Sequence, residues 1–271
     1  MRKVGTLLKR VLPLEFKLLL KRIFPLQALL LLSKILYGPS YMLPEREMKI
    51  LPILLNNASS ALGVAVDIGA HLGLYSYWLS PLCKKVYAFD PQPLSDPIRE
   101  KIMNLKNVEF HGIGLGDVEG EMTLNIPFEG KVLGTTLATL NQTDKPSKKL
   151  TVAVNTLDSY NLEDVVLIKI DVEGFEDKVL DGARNTIMKY KPNLLIEIED
   201  RHLVGAGQKP QDIIRKLIAW GYSCYYYHND DFTEVDVDTI SIDRLQGEEA
   251  MLSGSYINNF IFLDSEVPLP F

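Results

Sequence analysis

Lys169, Asp171 and Glu173 stand at every second position around the end of the apolar run Val165–Ile170. An extended backbone points alternate side chains to one side, so these three can share a face. Glu197, Glu199 and His202 follow the next apolar run, Leu194–Ile198. Acids and a histidine gathered in this way can take a proton from a reacting group, or hold a divalent cation that acidifies it. In the first arrangement His202 or Asp171 acts directly as base while Lys169 neutralises the carboxylates. In the second, Asp171 and Glu173 join Glu197 or Glu199 around a cation. No spaced metal-ligand motif accompanies them, so direct base catalysis is favoured and no metal site is predicted. A buried network of the acids with Lys169 and loop amides is the structural alternative.

A second constellation sits earlier in the chain. Asp67-x-Gly69-x-x-x-Gly73 directly follows the run Val64–Ile68 and directly precedes a helical pattern. Glycine at 69 lets the backbone turn tightly against a ligand, with Ala70 and His71 completing the turn. Asp67 can accept a hydrogen bond from a ligand ammonium group or orient the loop. Asp90 closes Val86–Phe89, 21 residues after Gly69, the spacing at which an acid meets ribose hydroxyls at the second strand end. Gly116-Asp117, after the third run, is expected near an adenine. All of these fall at carboxyl ends of strands, where open α/β sheets bind ligands. A nicotinamide dinucleotide would need Gly-x-Gly-x-x-Gly to seat its pyrophosphate, and Ala70, His71 and Leu72 break that fingerprint. S-adenosylmethionine carries no phosphate and suits the turn better.

The elements that must position these residues alternate. Apolar runs at Val64–Ile68, Val86–Phe89, Val108–Leu115, Val165–Ile170 and Leu194–Ile198 are separated by helical patterns near 73–80, 94–104, 176–189 and 210–220. Such alternation predicts a parallel sheet wrapped by helices. Between Gly120 and Asn155 the pattern changes to two alternating segments around a polar stretch, which predicts a β-hairpin insertion (about 120–156) lying over the sheet. Tyr222–His228 and Ile257–Leu263 are expected as two final antiparallel strands. His111, inside a strand, and Tyr225-Tyr226-Tyr227 are expected to be structural, since aromatic residues favour strands.

The totals bound the class of protein. The chain has 271 residues with 46% hydrophobic and 24% charged residues, enough for one large α/β domain. Cys83 and Cys224 are its two cysteines, too few for a disulfide framework, so a reducing cytoplasmic setting is expected. The net charge of −6 is uneven. Residues 1–37 carry Arg2, Lys3, Lys9, Arg10, Lys17, Lys21, Arg22 and Lys34 against Glu15 alone, a charge of +7 that leaves −13 on the remainder. An acidic body argues against nucleic acid as a partner. In the basic start, segments 13–24 and 25–37 each open at a proline, as a helix does. Neither approaches the ~20 apolar residues of a membrane span. The expectation is an N-terminal basic helical extension (1–57) ahead of a domain at 58–271, packed on that domain or lying peripherally on anionic lipid at the inner face of the membrane.

Val66-Asp67-Ile68-Gly69-Ala70-His71-Leu72-Gly73, Tyr87-Ala88-Phe89-Asp90-Pro91, Thr156-Leu157-Asp158 and Ile168-Lys169-Ile170-Asp171-Val172-Glu173-Gly174-Phe175-Glu176 stand in order, followed by Val179-Leu180-Asp181-Gly182-Ala183 and Lys191-Pro192-Asn193-Leu194-Leu195-Ile196-Glu197. Together they resemble the FkbM-type methyltransferases over about 60–263. The resemblance implies a class I, Rossmann-like methyltransferase fold of seven strands with one antiparallel, and O-methylation with S-adenosyl-L-methionine, often of sugars or natural-product hydroxyls. Asp171, closing its strand with Glu173-Gly174 just beyond, is expected at the cofactor as well as in the chemistry, from its place at a strand end. His71 stands where that family often has Asn, and Asp90 where it usually has Glu. The expected acceptor is a saccharide of cell-surface polysaccharide or glycolipid biosynthesis, the alternatives being a small secondary metabolite or peptide, or a catalytically silent binding protein. Thr135, Thr136, Glu197 and Glu199 are the candidate acceptor contacts. Oligomeric state is not legible in the sequence.

Overall fold

Apolar runs that bury both faces of a strand belong at the centre of a parallel sheet, and the chain follows that rule. A computed structural model describes residues 46–56, 63–129, 132–204 and 207–267. The expected helices at 13–24 and 25–37 lie outside the described residues. The strands are β1 (Val64–Ile68), β2 (Lys85–Phe89), β3 (Val108–His111), β4 (Gly114–Leu115), β5 (Gly120–Glu129), β6 (Val132–Leu133), β7 (Ser147–Asn155), β8 (Val165–Ile170), β9 (Asn193–Glu197), β10 (Tyr222–His228), β11 (Asp231–Glu234) and β12 (Asn259–Asp264). The helices are α1 (Leu51–Asn56), α2 (Leu74–Leu79), α3 (Pro97–Met103), α4 (Glu176–Gly182), α5 (Arg184–Tyr190), α6 (Asp200–Leu203), α7 (Pro210–Ala219), α8 (Ile242–Gln246) and α9 (Glu248–Ser253).

The main sheet runs β11-β10-β12-β9-β8-β1-β2-β3. β9, β8, β1, β2 and β3 pair in parallel, while β12 pairs antiparallel with both β9 and β10. Every residue of β1 and β8 is buried. Alternate side chains feed two cores. Val66, Ile168 and Ile196 pack with Val179, Ile187 and Leu217 on one face, and Ala65, Leu167 and Leu195 pack with Leu51, Leu54 and Leu79 on the other.

Three elements differ from the sequence expectation. The sheet has eight strands instead of seven, because β11 adds an edge. Asn229 and Asp230 take φ of 52° and 61°, closing a two-residue hairpin between His228 and Asp231. Two consecutive left-handed residues give the turn that suits the twist of a hairpin. The run Val108–Leu115 splits at Gly112 into β3, in the main sheet, and β4, which pairs with β7 instead. The helix expected over 176–189 breaks into α4 and α5 at Ala183. Gly182 there lies so close to the loop after β4 that a Cβ would come within 1.8 Å of the Gly116 carbonyl oxygen.

The inserted strands form a second sheet, β4-β7-β5-β6. β5 and β7 pair antiparallel from Gly120↔Val154 to Pro127↔Ser147. A one-turn 3-10 helix, Thr135–Leu137, follows β6.

Candidate active site

The first functional turn is shaped by close backbone approach. Gly69 and Gly73 take φ of 80° and 83°. A Cβ on Gly69 would lie 1.7 Å from the Asp171 carbonyl oxygen, and one on Gly73 2.7 Å from Met103 Cε. The amides of Gly69 and Ala70 donate to the Phe89 carbonyl at 2.9 and 3.0 Å, and the Asp171 amide donates to the Ile68 carbonyl at 3.0 Å. The turn is thus locked to the ends of β2 and β8 together. His71 adopts φ 45°, a left-handed conformation that Asn and, less often, His tolerate.

Asp67 is turned inward, 1% exposed. Its Oδ2 accepts hydrogen bonds from the Ser76 amide (2.9 Å) and hydroxyl (2.5 Å), in the first turn of α2, which Gly73 leaves without a side-chain cap. Burial pushes the Asp67 carboxyl up to about 6, against the pull of Ser76 and of Lys169. Asp90 is equally engaged. Its Oδ2 accepts from the His71 amide at 2.7 Å and its Oδ1 from the Gln92 amide at 2.8 Å. Buried Arg99 lies 3.5 Å from Oδ1 and donates to the Gln92 carbonyl at 2.7 Å. Desolvation lowers the pKa of His71 despite the nearby Asp90 carboxylate.

The second functional turn follows β8. Lys169, 1% exposed, lies 2.8 Å from Asp171 Oδ2 and 4.8 Å from the centre of the Tyr75 ring. Glu173 and Gly174 are consecutive left-handed residues, φ 57° and 95°. Glu173 Oε2 sits 2.7 Å from His202 Nδ1. His202 Nε2 lies 3.6 Å from Glu199 Oε2, and Arg201 Nε donates to that same oxygen. Asn258 Nδ2 donates to Glu197 Oε1 at 2.6 Å and to Glu199 Oε1 at 2.9 Å. Burial raises the Glu173 carboxyl, with His202 pulling the other way. For His202, burial works downward, but Glu173 and Glu199 outweigh it and raise the imidazole.

The two turns and the insertion enclose a cavity of about 550 Å³, within the ~300–1,000 Å³ of small-molecule sites. Of the residues expected from sequence, Asp67, Gly69, Ala70, His71, Asp90, Thr135, Thr136, Lys169, Asp171, Glu173 and Glu197 line it. Five others stand outside its wall. Gly73 packs on α3. The Gly116 amide donates to the Asn155 carbonyl at 2.9 Å, and Asp117 pairs with Lys178 at 2.8 Å on the surface. Glu199 is taken up by Arg201 and Asn258, and His202 stands behind Glu173. Tyr75, Gln92 and Arg201 line the cavity without having been singled out in the sequence. Gln92, two residues after Asp90, and Arg201, between Glu199 and His202, were within reach of motif reasoning; Arg99, deep in α3, gave no signal. The insertion closes the wall through Thr135, whose carbonyl accepts from Gln92 Nε2 at 3.1 Å and whose hydroxyl lies 3.4 Å from His71 Nε2.

A sheet of this strand order, with its cavity at the carboxyl ends of the strands, is the class I, Rossmann-like methyltransferase fold. The family model described as the methyltransferase FkbM domain matches residues 67–224, more than half of the chain, and the chain belongs to this family of S-adenosylmethionine-dependent methyltransferases. Among solved structures, the methyltransferase FkbM from Methylobacillus flagellatus KT is 17% identical, with 96% of this chain and 58% of that one covered and a TM-score of 0.47. SMU.1697c from Streptococcus mutans, in complex with SAH, is 14% identical, with 82% and 99% covered and a TM-score of 0.42. The N-methyltransferase NodS from Bradyrhizobium japonicum WM9, in complex with S-adenosyl-L-homocysteine, is 12% identical, with 80% and 83% covered and a TM-score of 0.37. The chain therefore spans 58% of the length of the Methylobacillus protein. No curated protein matches it.

Glu176 gives a pH test of the second turn. Its Oε1 accepts from the Gly174 amide at 2.9 Å while Oε2 is buried without a hydrogen-bond partner among the described residues, and burial pushes the carboxyl from 4.5 to about 7. A carboxyl raised in the folded state stabilises the fold below its unfolded value and loses that contribution as pH rises through the folded one. Glu176→Gln keeps the acceptor and removes the charge. Its urea midpoint relative to the parent is expected to rise between about pH 4.5 and 7 and to level off above. A difference that stays flat across this window would contradict the buried carboxyl.

Proposed function

We propose that this chain transfers a methyl group from S-adenosyl-L-methionine to a hydroxyl oxygen of a saccharide, in the making of a cell-surface polysaccharide or glycolipid. The observation that carries this reading is Glu173, in the wall of the cavity that Asp67, His71 and Asp90 also line, with His202 Nδ1 behind it at 2.7 Å. A neutral amine needs no proton removed before attack, whereas an alcohol ionises far above neutral pH and needs a base. A carboxyl raised by burial and backed by an imidazole is such a base.

The donor set fits the cofactor. Asp67, Asp90, Asp171, Glu173 and Glu197 in the wall outnumber Lys169 and Arg201, which favours a cationic sulfonium, and Asp90 at the end of β2 is placed for ribose hydroxyls. When bound, S-adenosylmethionine supplies an electrophilic methyl group, its sulfur keeping the electron pair of the broken S–C bond as the acceptor oxygen gains the new one. Glu173 takes the hydroxyl proton and shares it with His202. Asp171 holds Lys169, whose buried charge is thereby satisfied. Thr135, Thr136, Glu197 and Arg201 offer the mixed donors and acceptors that a polyol requires. Each carboxylate of the second turn already has a basic or amide partner, so the reading routes no step through a metal.

Residues 1–37, with their charge of +7, support attachment to anionic lipid at the cytoplasmic face, where lipid-linked acceptors sit. No helix among the described residues is long and apolar enough to cross a membrane.

Mass spectrometry of envelope glycans should find one methyl group missing from cells that lack the chain, and the purified protein should restore it to the extracted glycan. An unchanged glycan profile removes the saccharide. On that glycan, Glu173→Gln is expected to lower kcat by about 10²- to 10⁴-fold, the usual contribution of a general base, with S-adenosylmethionine affinity retained in calorimetry. In the parent, the acidic limb of kcat should lie above the ordinary carboxylate range, since the raised Glu173 must lose its proton first. Full-length protein should float with anionic liposomes and a chain starting at residue 38 should not; equal flotation rules out the lipid contact.

A further inference from the structure

We infer that Asn141, on the inserted segment, is a positioning residue for Glu173. This inference rests on the reading of Glu173 as the group that faces the acceptor. The turn that carries Glu173 has two left-handed residues in succession, at Glu173 and Gly174, and the first is a non-glycine residue in a conformation that costs energy unless its surroundings hold it. The surroundings hold it at the next peptide group. Asn141 Nδ2 donates to the Gly174 carbonyl at 2.6 Å, and Glu176 Oε1 accepts from the Gly174 amide at 2.9 Å. Gly174 is therefore held through its N–H from α4 and through its C=O from the insertion. The packing admits no alternative at this spot: a Cβ on Gly174 would meet the His202 carbonyl oxygen at 2.6 Å and Asn141 Nδ2 at 2.9 Å.

Asn141 is itself fixed by the second sheet. Its amide donates to Thr139 Oγ1 at 3.1 Å, and its carbonyl accepts from Asn125 Nδ2 at 2.9 Å. Asn125 is buried in β5 and bridges Thr139 through paired backbone hydrogen bonds of 2.8 and 3.0 Å. A continuous set of contacts thus runs from the core of the insertion, through one side-chain amide, to the turn that aims Glu173 at His202. The insertion then does more than wall the cavity on the acceptor side. It sets the angle of the residue that removes the proton.

Four titratable groups bear on His202 and its partner: Glu173 and Glu199 face the imidazole, Arg201 flanks it on α6, and Asp171 lies beside Glu173. Glu173 is the one that Asn141 positions. The chain has four histidines, so the His202 imidazole can be followed in the full-length protein by NMR, assigned by its loss in His202→Asn. In the parent it should titrate above a free imidazole. Asn141→Ala is expected to move it downward by about 0.5–1 pH unit as Glu173 drifts from Nδ1. With the extracted glycan, kcat should fall roughly 10- to 100-fold, as misplacement of a catalytic group does, while the calorimetric affinity for S-adenosylmethionine holds. Asn141→Leu, similar in size and without a donor, should behave in the same way and serves if the alanine variant unfolds. A merely structural asparagine would lower the thermal midpoint and leave the His202 titration in place; that result, in either folded variant, overturns the inference. Should Glu173→Gln keep full turnover while the Asn141 variants still shift His202, the base assignment fails and the positioning contact stands.

Discussion

Gly69 and the carbonyl of Asp171 occupy adjoining space at the point where the sheet changes direction. From β1 the chain proceeds to β2 and β3 on one side, and β8 and β9 lie on the other. Loops leaving two neighbouring strands in opposite directions open a crevice between them. Here the crevice has a fixed floor, because a Cβ at 69 would come within 1.7 Å of the Asp171 oxygen and the Asp171 amide bonds back to Ile68. The half of the site at the ends of β1 and β2 and the half at the ends of β8 and β9 are thereby held at one separation. Neither turn can relax without pushing on the other.

Charge satisfaction follows from the same geometry. Burying an ammonium group is costly unless a counter-charge reaches it, and Lys169 is buried in the middle of the sheet with Asp171 alongside. Asp171 is held at this height by the Gly69 contact, so the close approach that fixes the turn after β1 also fixes the partner of the buried lysine. Glu173 and Glu199 share His202, Glu197 and Glu199 share Asn258, and Arg201 adds a further donor to Glu199. These three acids are held as one network beside the Lys169–Asp171 pair.

What could be read in the sequence was whatever depends on neighbours along the chain. The buried runs of β1, β2, β8 and β9 declared themselves by continuous hydrophobicity, and the turn at 69–73 by its glycines. Lys169, Asp171 and Glu173 drew notice by alternation, a property of extended backbone, but β8 ends at Ile170 and Glu173 sits in a left-handed turn instead. What depends on distant segments stayed hidden. The hairpin at Asn229-Asp230 lacks the glycine that usually marks such a turn. The division of 108–115 follows from β4 finding a partner in β7, some forty residues later. Gly116 and Asp117, plausible from their place after the third strand, are drawn away by Asn155 and Lys178. Asn141 sits in a polar stretch without periodicity, and its meaning lies 33 residues on, at Gly174.

The route by which the chain enters and leaves the second sheet has a consequence of another kind. β4 and β7 lie side by side in parallel, Gly114 opposite Val154, so the excursion begins and ends at one place on the edge of the main fold. A segment stitched in this way can be lengthened, shortened or exchanged over generations while the turns at the ends of β1 and β2 are inherited unaltered. Constancy at the strand ends and variety in the wall above them are then written into separate stretches of the gene, which meet through Thr135 and Asn141.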